Sequence, residues 1–377
     1  MVVVVLRDRR PGPRHARHCG KGGAAARGRR RRDRRVHPGP ARPAAAAAAG
    51  ARRVIPLVRA QGSHQEAGEA IGKATAAAIR RRSIDLATDC CKGLTAPYRA
   101  VATEHLPWVI EELDSGAAAA DVDPLAVFAA SVEELATDCC KGGKGCTDLV
   151  VDLGRLLVAH NNDLDADDEE DVVAIEWRVD GEPAIFTLGI GPWISVGWNE
   201  AGLSVTGNEL DPNDERVGIP RLLQVRDVLT RTRLEEAIEA ALHPARASSY
   251  NWVLASPEGA VNVEGSATAA EVRELDGACA LVHTNHYEEP PMQRYARKRD
   301  HSGSRARYGR AHELLDEGTP PLQILRDHEN APNSICRHGG PDGVKTVFWC
   351  VADVAARRIE YGRGNPCASE AEVYEFA

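Results

Sequence analysis

The sequence predicts an α+β protein in which two helical layers enclose stacked β-strands, an αββα sandwich. Three observations predict this fold. Helix-forming residues dominate 64–135, short β-rich runs begin at Asp148, and helical segments return between the later strands. Hydrophobic residues make up 43% of the chain, so 54–377 can build one large domain with a substantial core.

The first helical segment spans Glu66 to Ala87, where alanine and charged residues prevail. A second spans Tyr98 to Leu113, with apolar residues at mixed spacings of three and four. Later helices are predicted at Gly218–Leu229, Leu234–Leu242 and Ala306–Leu315.

The strands follow as short β-rich runs separated by turn signals such as Asp180-Gly181, a strong hairpin cue. They are predicted at Leu149–Leu153, Leu156–Ala159, Val172–Val179, Ala184–Leu188, Trp193–Trp198, Leu203–Gly207, Tyr250–Ala255, Ala260–Glu264, Ala280–Thr284, Thr346–Ala352 and Arg357–Gly362.

Residues 1–53 differ from the rest of the chain in charge. They hold 16 Lys plus Arg against two acids, whereas the remainder holds 31 bases against 53 acids. We expect this leader to be disordered, because it has few large apolar residues to bury. A nucleic-acid-binding arm, a transit peptide without serine and a start site assigned too far upstream are the alternatives, and we favour the last. The acidic core indicates no role in binding nucleic acid.

No run of eighteen apolar residues is present, so we expect no membrane span. Ten cysteines are far fewer than a disulfide scaffold would use, and Val2–Leu6 is too short for a secretory signal. We therefore expect a cytoplasmic protein with reduced thiols.

A candidate for covalent catalysis is Cys146 in Gly145-Cys146-Thr147-Asp148. A thiol needs an adjacent base, and an α-amino group that titrates near ~7.7–8.0 can serve. Cys146 acquires that amine only if the Gly145–Cys146 bond breaks, and its thiol can break the bond by attacking the Gly145 carbonyl. Glycine suits this position because it tolerates strained backbone angles. The alternative is that Cys146 is a buried apolar residue at a strand start.

Seven sequence islands from about Val54 onward resemble the isopenicillin N acyltransferase (acyl-coenzyme A:6-aminopenicillanic acid acyltransferase) family of N-terminal nucleophile hydrolases. These stretches, in the family's order, are Gln61-Gly62-Ser63 with Glu66-Ala67-Gly68, Arg82-Ser83-Ile84-Asp85, Gly145-Cys146-Thr147, Asn161-Asn162-Asp163, Gly197-Trp198-Asn199-Glu200-Ala201-Gly202-Leu203 with Asn208, His283-Thr284-Asn285-His286 and Ser334-Ile335-Cys336-Arg337.

The resemblance implies the same αββα fold and self-cleavage at Gly145–Cys146, giving a heterodimer of a light chain, 1–145, and a heavy chain, 146–377. It implies that Cys146 is the nucleophile, that Asp163 assists cleavage and catalysis, and that Asn285 supplies an oxyanion donor. The expected substrate is a small acyl amide or acyl thioester, and a coenzyme A thioester would be an acyl donor rather than a cofactor. We expect no cofactor.

Four residues are further candidates for supporting the substrate or the oxyanion: Asn208, Asn251, His283 and His286. The alternative for Asn251 is that its side chain only forms hydrogen bonds with backbone groups. The two histidines lack a third ligand at helical spacing, so we interpret them as packing residues and predict no metal site. No nucleophile elbow surrounds Ser334, so we expect no nucleophilic role for it. We expect Cys336 to lie in the core.

Two features depart from the family pattern. Asn162 stands where the family has Trp, which indicates a different acyl preference, and Lys141-Gly142-Gly143-Lys144 makes the segment before Gly145 basic and flexible. Separately, the segment Leu86–Gly93 recurs without change as Leu135–Gly142, for which we have no physical account.

An acyltransferase or amidohydrolase is the favoured function. A hydrolase of N-acyl or β-alanyl amides and an uncleaved binding protein are the alternatives.

Overall fold

A computed structural model describes residues 3–4, 54–83, 94–132, 145–275, 280–340 and 342–377. Both copies of the repeated segment and the linker before Gly145 lie outside these ranges, as does the leader apart from Val3–Val4. The predictions made for those segments stay predictions.

A large, mostly antiparallel sheet contains nine of the described strands. Their order across the sheet is β1 (Val3–Val4), β11 (Ala269–Glu274), β10 (Gly259–Gly265), β9 (Asn251–Ser256), β8 (Ser204–Asn208), β7 (Trp193–Asn199), β6 (Ile185–Ile190), β5 (Val172–Val179) and β2 (Leu57–Gly62). The edge strand β2 runs parallel to β5, with Leu57 opposite Ala174 and Gly62 opposite Val179.

A second sheet contains six described strands and is antiparallel throughout. Their order is β12 (Ala280–His283), β3 (Gly145–Asp152), β4 (Leu156–Asp165), β13 (Val344–Asp353), β14 (Arg358–Arg363) and β15 (Glu372–Glu375). The hairpin of β3 and β4 therefore lies inside this sheet, with neighbours on both sides.

Apolar side chains join the two sheets face to face. Phe186 and Trp198 of the large sheet share one buried cluster with Phe348 and Tyr361 of the second sheet. Because side chains alternate along a strand, the opposite faces remain for helices.

The helices cover both outer faces. Helices α1 (His64–Arg82), α5 (Arg221–Val228) and α6 (Leu234–Ala241) bury apolar residues against the large sheet. Helices α7 (Ser302–Asp316) and α8 (Pro321–Leu325) do the same on the second sheet. This arrangement is the predicted αββα sandwich.

Local signals set the helix boundaries. Ser63 and Glu66 form a capping box at the start of α1. The helix predicted over Tyr98–Leu113 is in fact two helices, α2 (Thr95–His105) and α3 (Pro107–Ala119). Pro107 has no N–H to donate back along the chain, so it starts a new helix instead of continuing the old one.

Helices α1 and α3 cross at glycines. A Cβ added to Gly72 would lie 2.2 Å from the carbonyl oxygen of Gly116, and one added to Gly68 would lie 2.2 Å from that of Glu112. Only glycine permits so close a backbone approach.

Most predicted elements are present, with ends shifted by a few residues. The sequence did not predict β2, β11, β15 or α8, whereas the short helix α4 (Pro124–Ala130) lies inside 64–135, which was predicted to be mostly helical. Two 3-10 helices, Ala166–Asp171 and Gln293–Tyr295, complete the elements named here. Across the described ranges, no helix has the length and apolar character needed to cross a membrane.

Candidate active site

The β3–β4 hairpin holds the candidate nucleophile. Its register pairs Gly145 with Asp163, Cys146 with Asn162 and Asp148 with His160. Because the side-chain period of a strand is two, Cys146, Asp148, His160 and Asn162 share one face. This face is turned toward the large sheet, since Val150 and Val158, which continue it, pack against Val253 of β9. The strands predicted at Leu149–Leu153 and Leu156–Ala159 are the two strands of this hairpin, with shifted ends.

A histidine and an aspartate lie beside the Cys146 thiol. His160 Nδ1 is 2.9 Å from Asp148 Oδ1, and both side chains are buried. Asn162 Oδ1 lies 3.3 Å from His160 Nε2 and accepts a 3.6 Å hydrogen bond from Cys146 Sγ. The sequence analysis had singled out neither Asp148 nor His160 as a functional residue.

Burial alone would lower the pKa of His160, but the interactions with Asp148 and with the Cys146 thiol outweigh it. The pKa of His160 is therefore raised well above its ordinary value. Close contact with a carboxylate favours the charged imidazolium. A cysteine beside an imidazolium is the arrangement that stabilises a thiolate.

Asp163 lies on the other face of the hairpin, opposite Gly145. Its Oδ1 accepts a 2.7 Å hydrogen bond from Thr346 Oγ1, and its Oδ2 has no hydrogen-bond partner among the described residues. Burial raises the pKa of Asp163 to about 6, although the charges of Arg307 and Arg337 oppose this shift. A carboxyl with such a pKa can exchange a proton near neutral pH.

Arg307 and Arg337 both lie next to Gly145. A Cβ added to Gly145 would be 3.2 Å from Arg307 Nη2 and 3.3 Å from Arg337 Nη1. Both arginine side chains are buried, and burial lowers the pKa of Arg307. Gly145 thus leaves room for two guanidinium groups beside the peptide bond that joins it to Cys146.

Asn285 contacts the backbone of Cys146. Its Oδ1 accepts hydrogen bonds from the Cys146 N–H, at 2.8 Å, and from Arg307 Nη2, at 2.6 Å. Its Nδ2 donates to the carbonyl of Glu209 at 3.1 Å. In the uncleaved chain Asn285 therefore presents an acceptor to Cys146, while its amide donor is engaged elsewhere. The predicted oxyanion role stays a prediction.

Asn208, Asn251 and His283 form a buried hydrogen-bonded group on the neighbouring strands. His283 Nδ1 lies 3.0 Å from Asn208 Oδ1, and Asn251 Nδ2 lies 3.4 Å from the same oxygen. His283 Nε2 lies 2.9 Å from Glu264 Oε1. His283 also stands opposite Asp148 in the strand register, so this group adjoins the hairpin.

The remaining candidates have local partners. His286 Nδ1 lies 2.7 Å from Ser304 Oγ, and its Nε2 contacts Glu288. Ser334 is buried and its hydroxyl donates to the carbonyl of Cys336 at 2.7 Å. Cys336 is buried, as expected, although its surroundings are polar.

Several site residues escaped the sequence analysis because long-range packing brings them in. Arg307 comes from α7, and Thr346 comes from β13. A usable signal existed for Asp148 and His160: both fall on the Cys146 face once the hairpin register is fixed. Arg337 belongs to the island Ser334-Ile335-Cys336-Arg337, but no role was predicted for it.

Two facing sheets between helical layers form the αββα sandwich of the N-terminal nucleophile hydrolase fold. The family model described as "Acyl-coenzyme A:6-aminopenicillanic acid acyl-transferase" matches residues 152–368, and the chain belongs to this family. The matched stretch includes Asp163 and Asn285 but begins after Cys146. The proposed role of Cys146 as the nucleophile therefore depends on the geometry of the β3–β4 hairpin and its neighbours.

Solved structures with low sequence identity are similar to part of the chain. The Caenorhabditis elegans ortholog of N-acylethanolamine-hydrolyzing acid amidase is 16% identical, with a TM-score of 0.40, over 62% of this chain and 100% of that one. A conjugated bile acid hydrolase mutant from Clostridium perfringens is 13% identical, with a TM-score of 0.41, over 62% and 97%. Penicillin V acylase from Agrobacterium tumefaciens is 11% identical, with a TM-score of 0.41, over 61% and 84%. No curated protein sequence gives a significant match.

Membership of this family makes the chain an enzyme of the acyltransferase kind. The identity of the nucleophile, cleavage of the chain and the substrate lie beyond that assignment.

Proposed function

We propose that this chain is a self-cleaving cysteine acyltransferase or amidohydrolase that works through an acyl-Cys146 thioester. One observation carries the proposal. Cys146 is the second residue of β3, with its thiol near the buried His160–Asp148 pair and its backbone N–H bonded to Asn285 Oδ1 at 2.8 Å. Nucleophile, base and orienting group are thus assembled around one residue.

Self-cleavage begins with the uncleaved chain, in which Cys146 has no free amine. His160 is then the base within reach of the thiol. Transfer of the proton from Sγ to the imidazole gives the thiolate–imidazolium pair that the raised pKa of His160 favours, and the thiolate attacks the Gly145 carbonyl carbon. Arg307 and Arg337, which flank Gly145, stabilise the negative charge that develops on the carbonyl oxygen.

The tetrahedral adduct collapses as the C–N bond breaks. The leaving nitrogen of Cys146 takes up a proton, and a thioester joins Gly145 to Sγ. Water hydrolyses this thioester, leaving a carboxylate on Gly145 and a free amine on Cys146. Asp163, opposite Gly145 and with a pKa of about 6, is placed to exchange protons in these steps.

Turnover on a substrate uses the new amine as a base. The amine accepts the thiol proton and the thiolate attacks an acyl carbonyl. The resulting ammonium group returns the proton to the amine or thiol that departs from the substrate. Asn285 Oδ1 already accepts a hydrogen bond from the same nitrogen, so it can orient the amine. Water or an amine then resolves the acyl-Cys146 thioester, giving a hydrolase or a transferase respectively.

The substrate we propose is a small acyl amide or an acyl thioester, a coenzyme A thioester being one donor. Asn162 is a small polar side chain at the position of the family's tryptophan, and its Oδ1 lies 3.6 Å from Sγ. An indole beside the nucleophile would present a flat apolar surface. Its replacement favours acyl groups other than those that pack against an aromatic ring.

Intact mass spectrometry of the purified full chain tests self-cleavage. Wild-type protein should give two fragments, the second starting at Cys146, whereas Cys146→Ala should give only the full-length mass. His105→Ala, at an exposed position of α2, should cleave like wild type. A single intact wild-type band after prolonged incubation would contradict the proposal and favour a binding protein.

A further inference from the structure

Four potential metal ligands converge at a place distinct from the nucleophile. His328, Cys336, His338 and Cys367 each present one ligand atom, and all four atoms lie within 4.8 Å of one another. Three of them come from the loop after α8, and Cys367 comes from the segment after β14. Two stretches of chain far apart in sequence therefore meet at this cluster.

Four of the six separations between ligand atoms in the cluster are close to the edges of a tetrahedron around a metal ion. Sγ of Cys336 lies 3.6 Å from Sγ of Cys367, and Nε2 of His328 lies 3.0 Å from Nε2 of His338. His338 Nε2 lies 3.5 Å from Cys336 Sγ and 3.2 Å from Cys367 Sγ. Zinc bonds of ~2.3 Å to sulfur and ~2.0–2.1 Å to nitrogen place such ligands about 3.8 Å apart for sulfur pairs and about 3.3 Å apart for nitrogen pairs.

We propose that these four side chains bind a structural zinc ion. Two thiolates and two imidazoles are the ligands that zinc prefers, whereas calcium and magnesium require oxygen. Four protein ligands close the coordination sphere, so no position remains for a substrate or a reactive water. The ion's role is thus to tie the two chain segments together.

The surroundings of the cluster hold its ligands in place. Asn365 Nδ2 donates to Cys336 Sγ at 3.4 Å and to the carbonyl of Arg337 at 2.5 Å. The Cys336 N–H donates to the carbonyl of Asp327 at 2.9 Å. Hydrogen bonds to ligand sulfurs and to the adjoining backbone are typical of the outer shell of metal sites.

The site has a consequence for Arg337, which lies between the ligands Cys336 and His338. The Arg337 N–H donates to Thr346 Oγ1 at 3.1 Å, and Thr346 in turn donates to Asp163. Arg337 also flanks Gly145. A bound zinc ion would fix the backbone on both sides of this arginine. Metal binding itself does not depend on the proposed function, but an effect on self-cleavage does.

The spacing of these ligands is not that of a zinc finger, so the sequence did not predict the site. Seven residues separate His328 from Cys336, one separates Cys336 from His338, and 28 separate His338 from Cys367. There is no Cys-x-x-Cys pair to indicate it, and Cys336 alone was interpreted as a core residue. The prediction of no metal site from the sequence is therefore replaced by the proposal of a structural zinc site.

Metal analysis of the full chain, purified after expression with zinc in the medium, is the direct test. Inductively coupled plasma mass spectrometry should find one zinc per chain. His328→Ala and Cys367→Ser change exposed ligands and should lower that content at least tenfold while circular dichroism still reports a folded protein. His105→Ala and Cys350→Ala, which lie outside the cluster, should keep the metal.

Cobalt substitution gives a second readout that is independent of activity. Chelated protein reloaded with Co²⁺ should show the intense visible bands of tetrahedral cobalt and a thiolate charge-transfer band, both absent from Cys367→Ser. Cys146→Ala should retain zinc, which separates failure of this proposal from failure of the proposed function. Metal-free wild-type protein with a Cys336–Cys367 disulfide in its peptide map would overturn the site, as would unchanged zinc in both ligand variants.

Discussion

His160 Nδ1 lies 2.9 Å from Asp148 Oδ1, and both residues share the face of the β3–β4 hairpin that carries the Cys146 thiol. The carboxylate fixes the orientation of the ring and raises its pKa. This is the relationship of an orienting group to a base next to a nucleophile, formed before any free amine exists.

His160→Gln should therefore slow self-cleavage by about 10²–10⁴-fold, the range expected for loss of a positioned general base. The measurement is the rate at which purified precursor converts to two fragments on a denaturing gel. His105→Gln, on the exposed side of α2, is the matched control. An unchanged rate in His160→Gln would mean that a different base accepts the thiol proton.

Asn285→Ala should lower turnover of the cleaved enzyme by about 10²–10³-fold if its amide donates to the oxyanion. Asn285→Asp distinguishes the two roles open to this side chain. It keeps an oxygen that can accept from the Cys146 nitrogen but loses the NH₂ donor. Turnover close to wild type in Asn285→Asp, alongside a slow Asn285→Ala, would favour orientation of the amine.

The pKa of Asp163, raised to about 6, predicts how stability varies with pH. The native state favours the protonated carboxyl, so its contribution is present below the unfolded pKa of ~3.9 and is lost as pH rises through about 6. In a Cys146→Ala background, Asp163→Asn should raise the free energy of unfolding at pH 8 by roughly 2–3 kcal/mol and change it little at pH 3. Urea titrations measure this difference.

Asp167→Asn, at an exposed aspartate, is the matched control. A stabilising effect of Asp163→Asn that stayed constant from pH 3 to pH 8 would contradict the raised pKa. In chains that retain Cys146, self-cleavage should rise with an apparent pKa near 6 if the ionised Asp163 is required.

Iodoacetamide should label Cys146 faster than the other nine cysteines in the cleaved enzyme, because the thiolate is the reactive form and only Cys146 carries its own amine. Peptide mapping should find the adduct on the new N-terminus, and labelling should abolish hydrolysis of phenylacetyl, aliphatic acyl and β-alanyl amides. Zinc should protect Cys367, the exposed cysteine of the cluster, and chelation should expose it. Inert Cys146 in cleaved protein would remove it as the nucleophile.

The layered fold could be predicted from sequence because strand periodicity and turn residues are local signals. Val172–Val179 was predicted to the residue, whereas β2 was missed because six residues of mixed polarity at a sheet edge carry little pattern. Cys146, the proposed nucleophile, and Asp163 were predicted from motif islands. His160, Arg307 and the zinc ligands were not, because strand register and loop packing bring them together over long sequence distances.

The pairing of β2 with β5 bears on what happens once the Gly145–Cys146 bond is cut. Leu57–Gly62 precedes that bond and Val172–Val179 follows it, yet the two strands share a continuous parallel ladder. After cleavage, β2 would belong to a separate N-terminal fragment. It would remain hydrogen-bonded to β5 as the edge strand of a sheet formed by two chains. A C-terminal fragment made alone would expose the backbone of β5 as a template for self-association. Co-expression with the missing piece should restore a monodisperse assembly.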